Sequence, residues 1–588
     1  MRRLVGTVGI SGSGLLLIAG MFQKSDALWL AALWASILLL GIGVSATLQA
    51  LHGGVRRGVL NLSLVFSLLF VMLTAQLLRT QFVQANAIYN RVVKGPNGNV
   101  GNSRPVTSSL KVRRGGIFDR RGTQLAGSQS SPQGYAKRTY PIAQTADVRA
   151  FSNILGYTSP NYGQDGLEAQ WNDYLTGAKG QPLLALQDDV LNRPHQGDDM
   201  QLTIDARLQA AAWQILQQKG GGKPGSAVVI EPKTGAILAL VSTPGYDPQA
   251  LAFDPFQEDW DAMGKQIGAY WNRINQDPLH PLINRPLQGQ YPPGSTFKTI
   301  TAIATLQHPE VLSEPRAIDC PNEYRPDPNA PPVVNAVGPP LYPQQPALGD
   351  IIKQRMGGKL DLAGVYAFSC NTAFAQLGVR LGKDNLANTS RTLGFYPPRE
   401  AATIDANPDM TDLPTQLSLL AVRGTFLDQV NAVADTAYGQ GQLFVTPIQM
   451  ALTAAAIAND GQLAEPYLVE KITDPEKATA YQHNPRQRQV MPANVATQMR
   501  SLMQTEVVTG YGKGAAVAGQ TVGGKSGSAQ AGPGDDPNKI VHAWFIAIAP
   551  VEQPRYAVAV MIENGRDGVV VGGTTAGAVL QAAFNLEK

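Results

Sequence analysis

Cysteine, histidine and charge are all scarce in this 588-residue chain. Two cysteines, Cys320 and Cys370, are too few for a disulfide-built scaffold or a Cys-x-x-Cys metal knuckle. They read as small buried apolar residues, with a single disulfide as the alternative in an oxidising compartment. The six histidines, His52, His195, His280, His308, His483 and His542, are scattered and form no His-Glu-x-x-His motif. No metal site and no cofactor are therefore expected. Charged residues make up only 16% of the chain and hydrophobic ones 44%, which excludes a disordered polymer. No basic run is interleaved with aromatics, so nucleic acid is not an expected partner.

The charge excess that does exist sits at one end. The formal net charge is +4. Residues 1–80 carry Arg2, Arg3, Lys24, Arg56, Arg57 and Arg79 against Asp26 alone. The other 508 residues hold 42 basic and 43 acidic groups, so the bulk of the protein is not basic. Three apolar stretches share the basic end: Leu4–Phe22, Ala27–Leu51 and Val59–Leu78. A run of about 20 apolar residues spans a bilayer core. Arginines precede the first stretch and separate the second from the third. By the positive-inside rule both groups are cytoplasmic, which puts everything after Leu78 outside. The expectation is a multi-pass protein of the cytoplasmic (inner) membrane, touching lipid, with its bulk extracytoplasmic or periplasmic.

Beyond the spans, Ala85–Val93 reads as an extension of the last helix and Gly95–Pro105 as loop. Gly115–Ala126 reads as short strands around an Asp-Arg-Arg-Gly turn, and Gly166–Gly177 as a helix. A change comes near residue 200, where Leu202–Ile204 reads as a strand. Asp205 is an N-cap for a helix over Ala206–Lys219. Ser226–Ile230 and Ala236–Val241 flank a hairpin turn at Pro232–Gly235. Helices are expected near 296–306, 361–382, 415–424, 447–459 and 493–509, and strands at 541–549 and 556–563. The Pro-rich stretch 321–347 reads as irregular loop. Helices and antiparallel hairpins mix without βαβ alternation, which is an α+β fold.

Three short motifs follow in order. Pro292-Pro293-Gly294-Ser295-Thr296-Phe297-Lys298 puts Ser295 at a helix start, where free N–H groups favour developing negative charge. Lys298 lies one turn on, on the same face. A serine hydroxyl needs a base, and a buried lysine with a lowered pKa can serve. Ser369-Cys370-Asn371 offers a hydroxyl to relay a proton and an amide to hold both the lysine and a substrate carbonyl. Lys525-Ser526-Gly527 offers a cation and a hydroxyl to a carboxylate, with a glycine that permits close approach. Each motif alone is weak. Look-alikes occur at Ser108–Lys111, Ser159–Asn161 and Lys233–Gly235, all before the Pro-Pro-Gly-Ser segment. The ordered set with fitting local structure is what carries weight.

That ordered set resembles the penicillin-binding proteins and serine β-lactamases. The flanking segments RGGIFDRRG, GLEAQWNDYLTG, LTIDARLQ, VVIEPKTGAILALVSTPGYDP, YGQGQLFVTPIQMA and HAWFIAIAP are similar to boxes of class B penicillin-binding proteins. The resemblance runs from about residue 113 to the C-terminus. Beyond the membrane region over 1–80, it implies a small pedestal or dimerisation-like domain over 81–200 and a transpeptidase domain over 201–588. The last is an antiparallel sheet flanked by helices. The implied activity is D,D-transpeptidation of peptidoglycan stem peptides, with β-lactams acylating the same serine. Carried onto this chain, Ser295 is the nucleophile and Lys298 the general base. Ser369 and Asn371 relay the proton and position substrate. Lys525, Ser526, Gly527 and Ser528 bind the terminal carboxylate side. The backbone N–H groups of Ser295 and Ser528 make the oxyanion hole. A membrane-embedded SEDS-family glycosyltransferase is the implied partner.

Three departures stand out. The third motif is Lys-Ser-Gly rather than Lys-Thr-Gly, which implies altered β-lactam affinity. Three spans replace the family's usual one, and residues 79–200 are short for its pedestal. The alternatives are a D,D-carboxypeptidase or β-lactamase, a membrane β-lactam sensor, or a non-catalytic wall-synthesis scaffold. The sensor reading lacks its His-Glu-x-x-His protease. A bifunctional class A enzyme lacks room for its glycosyltransferase domain.

Overall fold

The computed structural model describes residues 2–23, 25–48, 55–84, 92–95, 98–101, 110–179, 196–312, 318–401, 404, 410, 412–531 and 540–587. They fall into two compact units, Met1–Ser109 and Leu110–Lys588.

The first unit is built on the helices Arg2–Met21, Asp26–Leu48 and Val55–Leu78. Small residues let the first two approach closely: a Cβ on Gly9 would lie 2.9 Å from the Cα of Gly43. Trp29 Nε1 donates to Gln76 Oε1 at 2.6 Å and ties the second helix to the third. Ala27–Thr47 and Leu62–Gln81 are long and apolar enough to cross a membrane, and Val5–Met21 is a shorter apolar helix. The expected helical extension over Ala85–Val93 lies outside the described residues except for its end, where Val92 opens a strand. Val92–Gly95 pairs antiparallel with Gly98–Gly101, so a hairpin replaces the expected loop there.

In the second unit, a six-stranded sheet runs in the order Thr479–Gln482, Val469–Thr473, Asp199–Leu202, Ile117–Phe118, Gln124–Ser130, Ala136–Thr139. Asp199–Leu202 is central to it, so the change expected near residue 200 falls inside a strand shared by early and late chain. Buried Glu168 pins this region, accepting from Arg114 Nε at 2.7 Å and Arg138 Nε at 2.5 Å. The expected helix Gly166–Gly177 is two short turns, Gly166–Gln170 and Asn172–Leu175, broken at Trp171.

The second sheet positions the chemistry. Its order is Ile237–Thr243, Gly225–Ile230, Tyr556–Ile562, Ile540–Ala549, Gly523–Ala531, all antiparallel. Its inner strands are apolar on both faces because helices cover both. Ala206–Lys219 and Gly573–Asn585 pack on one side, Pro447–Ala458 and Ala493–Val508 on the other. Asp205 caps the first of these, accepting from the N–H groups of Arg207 and Leu208. All residues of Pro447–Ala458 are buried.

Several expected elements differ. The single helix over 361–382 is two, Leu362–Ala367 and Asn371–Thr392, interrupted at Ser369, whose φ is +57°. The expected helix 415–424 is extended chain. Ser418–Leu419 pairs parallel with Phe395–Tyr396, and Leu419 exchanges backbone bonds with Phe444, which no helix could do. The Pro-rich stretch holds a small hairpin, Glu323–Tyr324 with Val333–Val334. Cys320 and Cys370 form a disulfide, which corrects their reading as separate apolar residues. Each buries its sulfur, as an unpaired cysteine would, so composition alone could not separate the two states.

Candidate active site

Ser295 sits in a single tight turn, Gly294–Phe297, that leads into the helix Lys298–Gln307. Two prolines keep the preceding chain out of helix. Gly294 has φ +55°, and a Cβ there would come 2.8 Å from the carbonyl oxygen of Ser528. Gly527 answers it from the other side, where a Cβ would meet Thr296 Cγ2 at 2.9 Å and Pro293 O at 3.0 Å. The nucleophile turn is therefore pressed backbone to backbone against the edge strand Gly523–Ala531. Trp544 Nε1 donates to Pro292 O at 3.0 Å and holds the turn from the next strand.

Lys298 opens its helix with a fully buried side chain. Its Nζ lies 3.1 Å from Ser295 Oγ, 3.0 Å from Ser369 Oγ, 2.6 Å from Ser369 O and 2.7 Å from Asn371 Oδ1. The left-handed backbone at Ser369 is what turns both its carbonyl and its hydroxyl toward one ammonium. All four partners are neutral oxygens. Burial pulls the Lys298 pKa well below the ordinary lysine value, the Lys525 charge lowers it further, and Glu506 opposes both.

Asn371 begins the helix Asn371–Thr392. Its Nδ2 donates to Val334 O at 2.9 Å, so one of its two amide protons is already used within the protein. Between Ser369 and Asn371, Cys370 is bonded to Cys320, which anchors the motif to chain 50 residues earlier.

Lys525 is also fully buried, yet its surroundings differ. Its Nζ lies 2.8 Å from Glu506 Oε2 and 5.4 Å from the Tyr366 ring centre. Burial lowers its pKa, and Glu506 pulls the other way. Burial raises the Glu506 pKa against the attraction of Lys525. The Ser526 hydroxyl points inward to Glu506 Oε1 at 2.7 Å. Ser528 is exposed, and its Oγ accepts from Gly568 N at 3.0 Å.

Ser295, Lys298, Ser369 and Asn371 thus converge on one ammonium, and the strand carrying Lys525 to Ser528 lies against the Ser295 turn. Glu506 belongs to no motif and was not legible as a site residue. Its only signal is to be the sole acid of the helix Ala493–Val508. The look-alikes lie elsewhere. Lys233 and Thr234 line a separate cavity of about 640 Å³ with Arg121, Asp205 and Glu587. Ser159 ends a two-residue strand. Of Ser108–Lys111, the two serines lie outside the described residues.

Residues 225–330 and 338–585 match the penicillin binding protein transpeptidase domain, and residues 114–200 match the penicillin binding protein A dimerisation domain. The peptidoglycan D,D-transpeptidase PbpA of Mycolicibacterium smegmatis is 33% identical over 509 residues, covering 85% of this chain and 94% of that protein. PbpA of Mycobacterium tuberculosis is 32% identical over 467 residues, covering 76% of this chain and 84% of that protein. Among solved structures, the penicillin G acyl-enzyme complex of penicillin-binding protein A from M. tuberculosis superposes with a TM-score of 0.68 at 31% identity. That match covers 80% of this chain and all of the other. The chain belongs to the penicillin-binding protein transpeptidase family, as a class B member.

Proposed function

We propose that Ser295 is the nucleophile of a peptidoglycan D,D-transpeptidase. The enzyme cross-links stem peptides in cell-wall synthesis and is acylated by β-lactams. The observation that carries this assignment is Lys298 Nζ at 3.1 Å from Ser295 Oγ, buried among neutral oxygens. A lysine so placed is held neutral at far lower pH than one in water, which suits a general base.

Lys298 takes the Ser295 proton as Oγ attacks the carbonyl of the D-Ala-D-Ala peptide bond. The tetrahedral oxyanion is met by the backbone N–H groups of Ser295 and Ser528. Ser369, which shares the Lys298 ammonium, passes a proton to the leaving D-alanine amine. The acyl group stays on Ser295 until an amine of a neighbouring stem peptide attacks, and its proton returns by the same route to Ser295. Asn371 orients Lys298 through Oδ1 and has one amide proton left for a substrate carbonyl. The edge strand Gly523–Ala531 offers backbone groups along which an extended peptide lies.

On this reading, residues 81–200 serve as the pedestal of a transpeptidase domain over 201–588. Leu4–Phe22, Ala27–Leu51 and Val59–Leu78 are three spans in lipid, with the catalytic domain outside the cytoplasmic membrane. They are the docking element for a SEDS-family glycosyltransferase.

The test is labelling of the membrane protein with fluorescent penicillin. Covalent label is expected on the native chain and none on Ser295→Ala. Label that persists in S295A sinks the assignment. An acyl-enzyme that decays slowly fits a transpeptidase, whereas rapid turnover of the drug belongs to a β-lactamase.

A further inference from the structure

Glu506 stands outside all three motifs, yet it holds the third one. It is fully buried in the helix Ala493–Val508. Its Oε1 accepts both the backbone N–H of Ser526, at 2.8 Å, and the Ser526 hydroxyl, at 2.7 Å. Its Oε2 lies 2.8 Å from Lys525 Nζ. The remaining charged or ionisable neighbours are Lys298, which feels its charge, and Tyr366, whose ring faces Lys525.

A carboxylate in this place takes the Ser526 hydroxyl proton and pairs with the Lys525 ammonium, the two side-chain groups that a Lys-Ser-Gly strand has for a substrate carboxylate. A hydroxyl owns one proton, and the Ser526 proton is spent on Oε1. The Lys525 charge is offset within the protein, so an approaching anion meets a neutral pair rather than a cation. The exposed Ser528 is different: its Oγ accepts from Gly568, which leaves its proton free to donate.

We propose that Glu506 is a positioning residue that determines specificity: it withholds the Ser526 hydroxyl and the Lys525 charge and so sets how strongly the site prefers a carboxylate-bearing acyl donor. This rests on the transpeptidase reading of Ser295. It differs from a purely structural ion pair, whose loss would slow acylation by any donor alike.

The probes are penicillin G and its methyl ester, which differ only in the carboxylate, on the full-length membrane protein. Acylation rates are measured for both, and the acid-to-ester ratio is compared among variants. Glu506→Gln keeps the shape and an acceptor oxygen but removes the charge. Removing the carboxylate lets burial lower the Lys525 pKa further, so the ratio is followed over falling pH; once Lys525 holds its proton it should rise about tenfold, the scale of one hydrogen bond to a charged group. Glu506→Asp keeps the charge but shortens the arm. It should release Ser526 and raise the ratio by a smaller factor, and it supplies the measurement should the Gln variant fail to fold. A ratio that is unchanged or lower in the folded variants overturns the proposal while leaving the Ser295 reading intact. If the native protein takes up neither compound, that reading falls, and this one with it.

Discussion

Two lysines lie fully buried in one site, and they are given opposite company. Lys298 meets four neutral oxygens, whereas Lys525 meets a carboxylate. Burial depresses both pKa values. For Lys298 no carboxylate among the described residues is in contact to restore it, and the neighbouring Lys525 charge pushes the same way. For Lys525 the Glu506 carboxylate resists. The difference teaches that burial alone does not assign a role: the first-contact partners decide whether a lysine becomes a base or remains part of an ion pair.

The sharpest way to break this contrast is to change what Lys298 can do with a proton. Lys298→Met should slow acylation of Ser295 by a β-lactam about 10²–10⁴-fold, the usual worth of a positioned general base. Lys298→Arg should be nearly as slow, because a guanidinium keeps its proton. An Arg variant retaining most of the rate would end the base assignment. In the native protein, protonated Lys298 cannot accept a proton, so the rate should fall with decreasing pH. That limb should lie well below the range of an ordinary lysine. A rate that climbs only near the ordinary lysine pKa would contradict it.

Stability should separate the same two residues in the other direction. Lys525→Met strands a buried carboxylate, a loss of about 3–5 kcal/mol. Lys298→Met leaves neutral oxygens without a donor, a loss of about 1–3 kcal/mol. Urea or thermal midpoints of the two variants measure this, and the reverse order would undo the comparison. Combining Lys525→Met with Glu506→Gln should recover most of the larger loss.

The last contrast concerns what fixes the Lys298 side. The Cys320–Cys370 bond closes a loop with a sequence separation of 50, worth about 2–4 kcal/mol. Cys320→Ala should lower the thermal midpoint accordingly. Because Cys370 lies between Ser369 and Asn371, acylation should slow as well. Equal acylation rates with and without the bond would show that the helix break holds those residues unaided.

The Lys298 half of the site was largely legible in the sequence. Pro292-Pro293-Gly294 announces a turn, and the spacing to Lys298 follows from one helical turn. The hairpin around Pro232–Gly235 and the helix capped by Asp205 are likewise local patterns, and local patterns survive folding. Of the Lys525 half, the Lys-Ser-Gly motif was legible and its acidic partner was not. Glu506 reads like any solvated helix acid until the strand bearing Lys525 packs on it, a tertiary event with no local signature. Ser369 looked helical because the residues around it are apolar at helical spacing. The break there brings two oxygens of Ser369 to one ammonium, a tertiary contact that local spacing does not show. The stretch 415–424 failed for the related reason that Leu419 pairs with Phe444, across a connection that periodicity does not see.

The seam between Gly294 and Gly527 has a consequence in time as well as space. Its two sides are written far apart in the chain, at Gly294 and Gly527. Contacts of such long sequence separation form late. The serine turn therefore has no partner to lean on until the final strands have joined the sheet. A chain that stops short of residue 523 carries the nucleophile and its lysine but not the wall that aligns them. The alignment of the nucleophile therefore depends on chain far along the sequence from it.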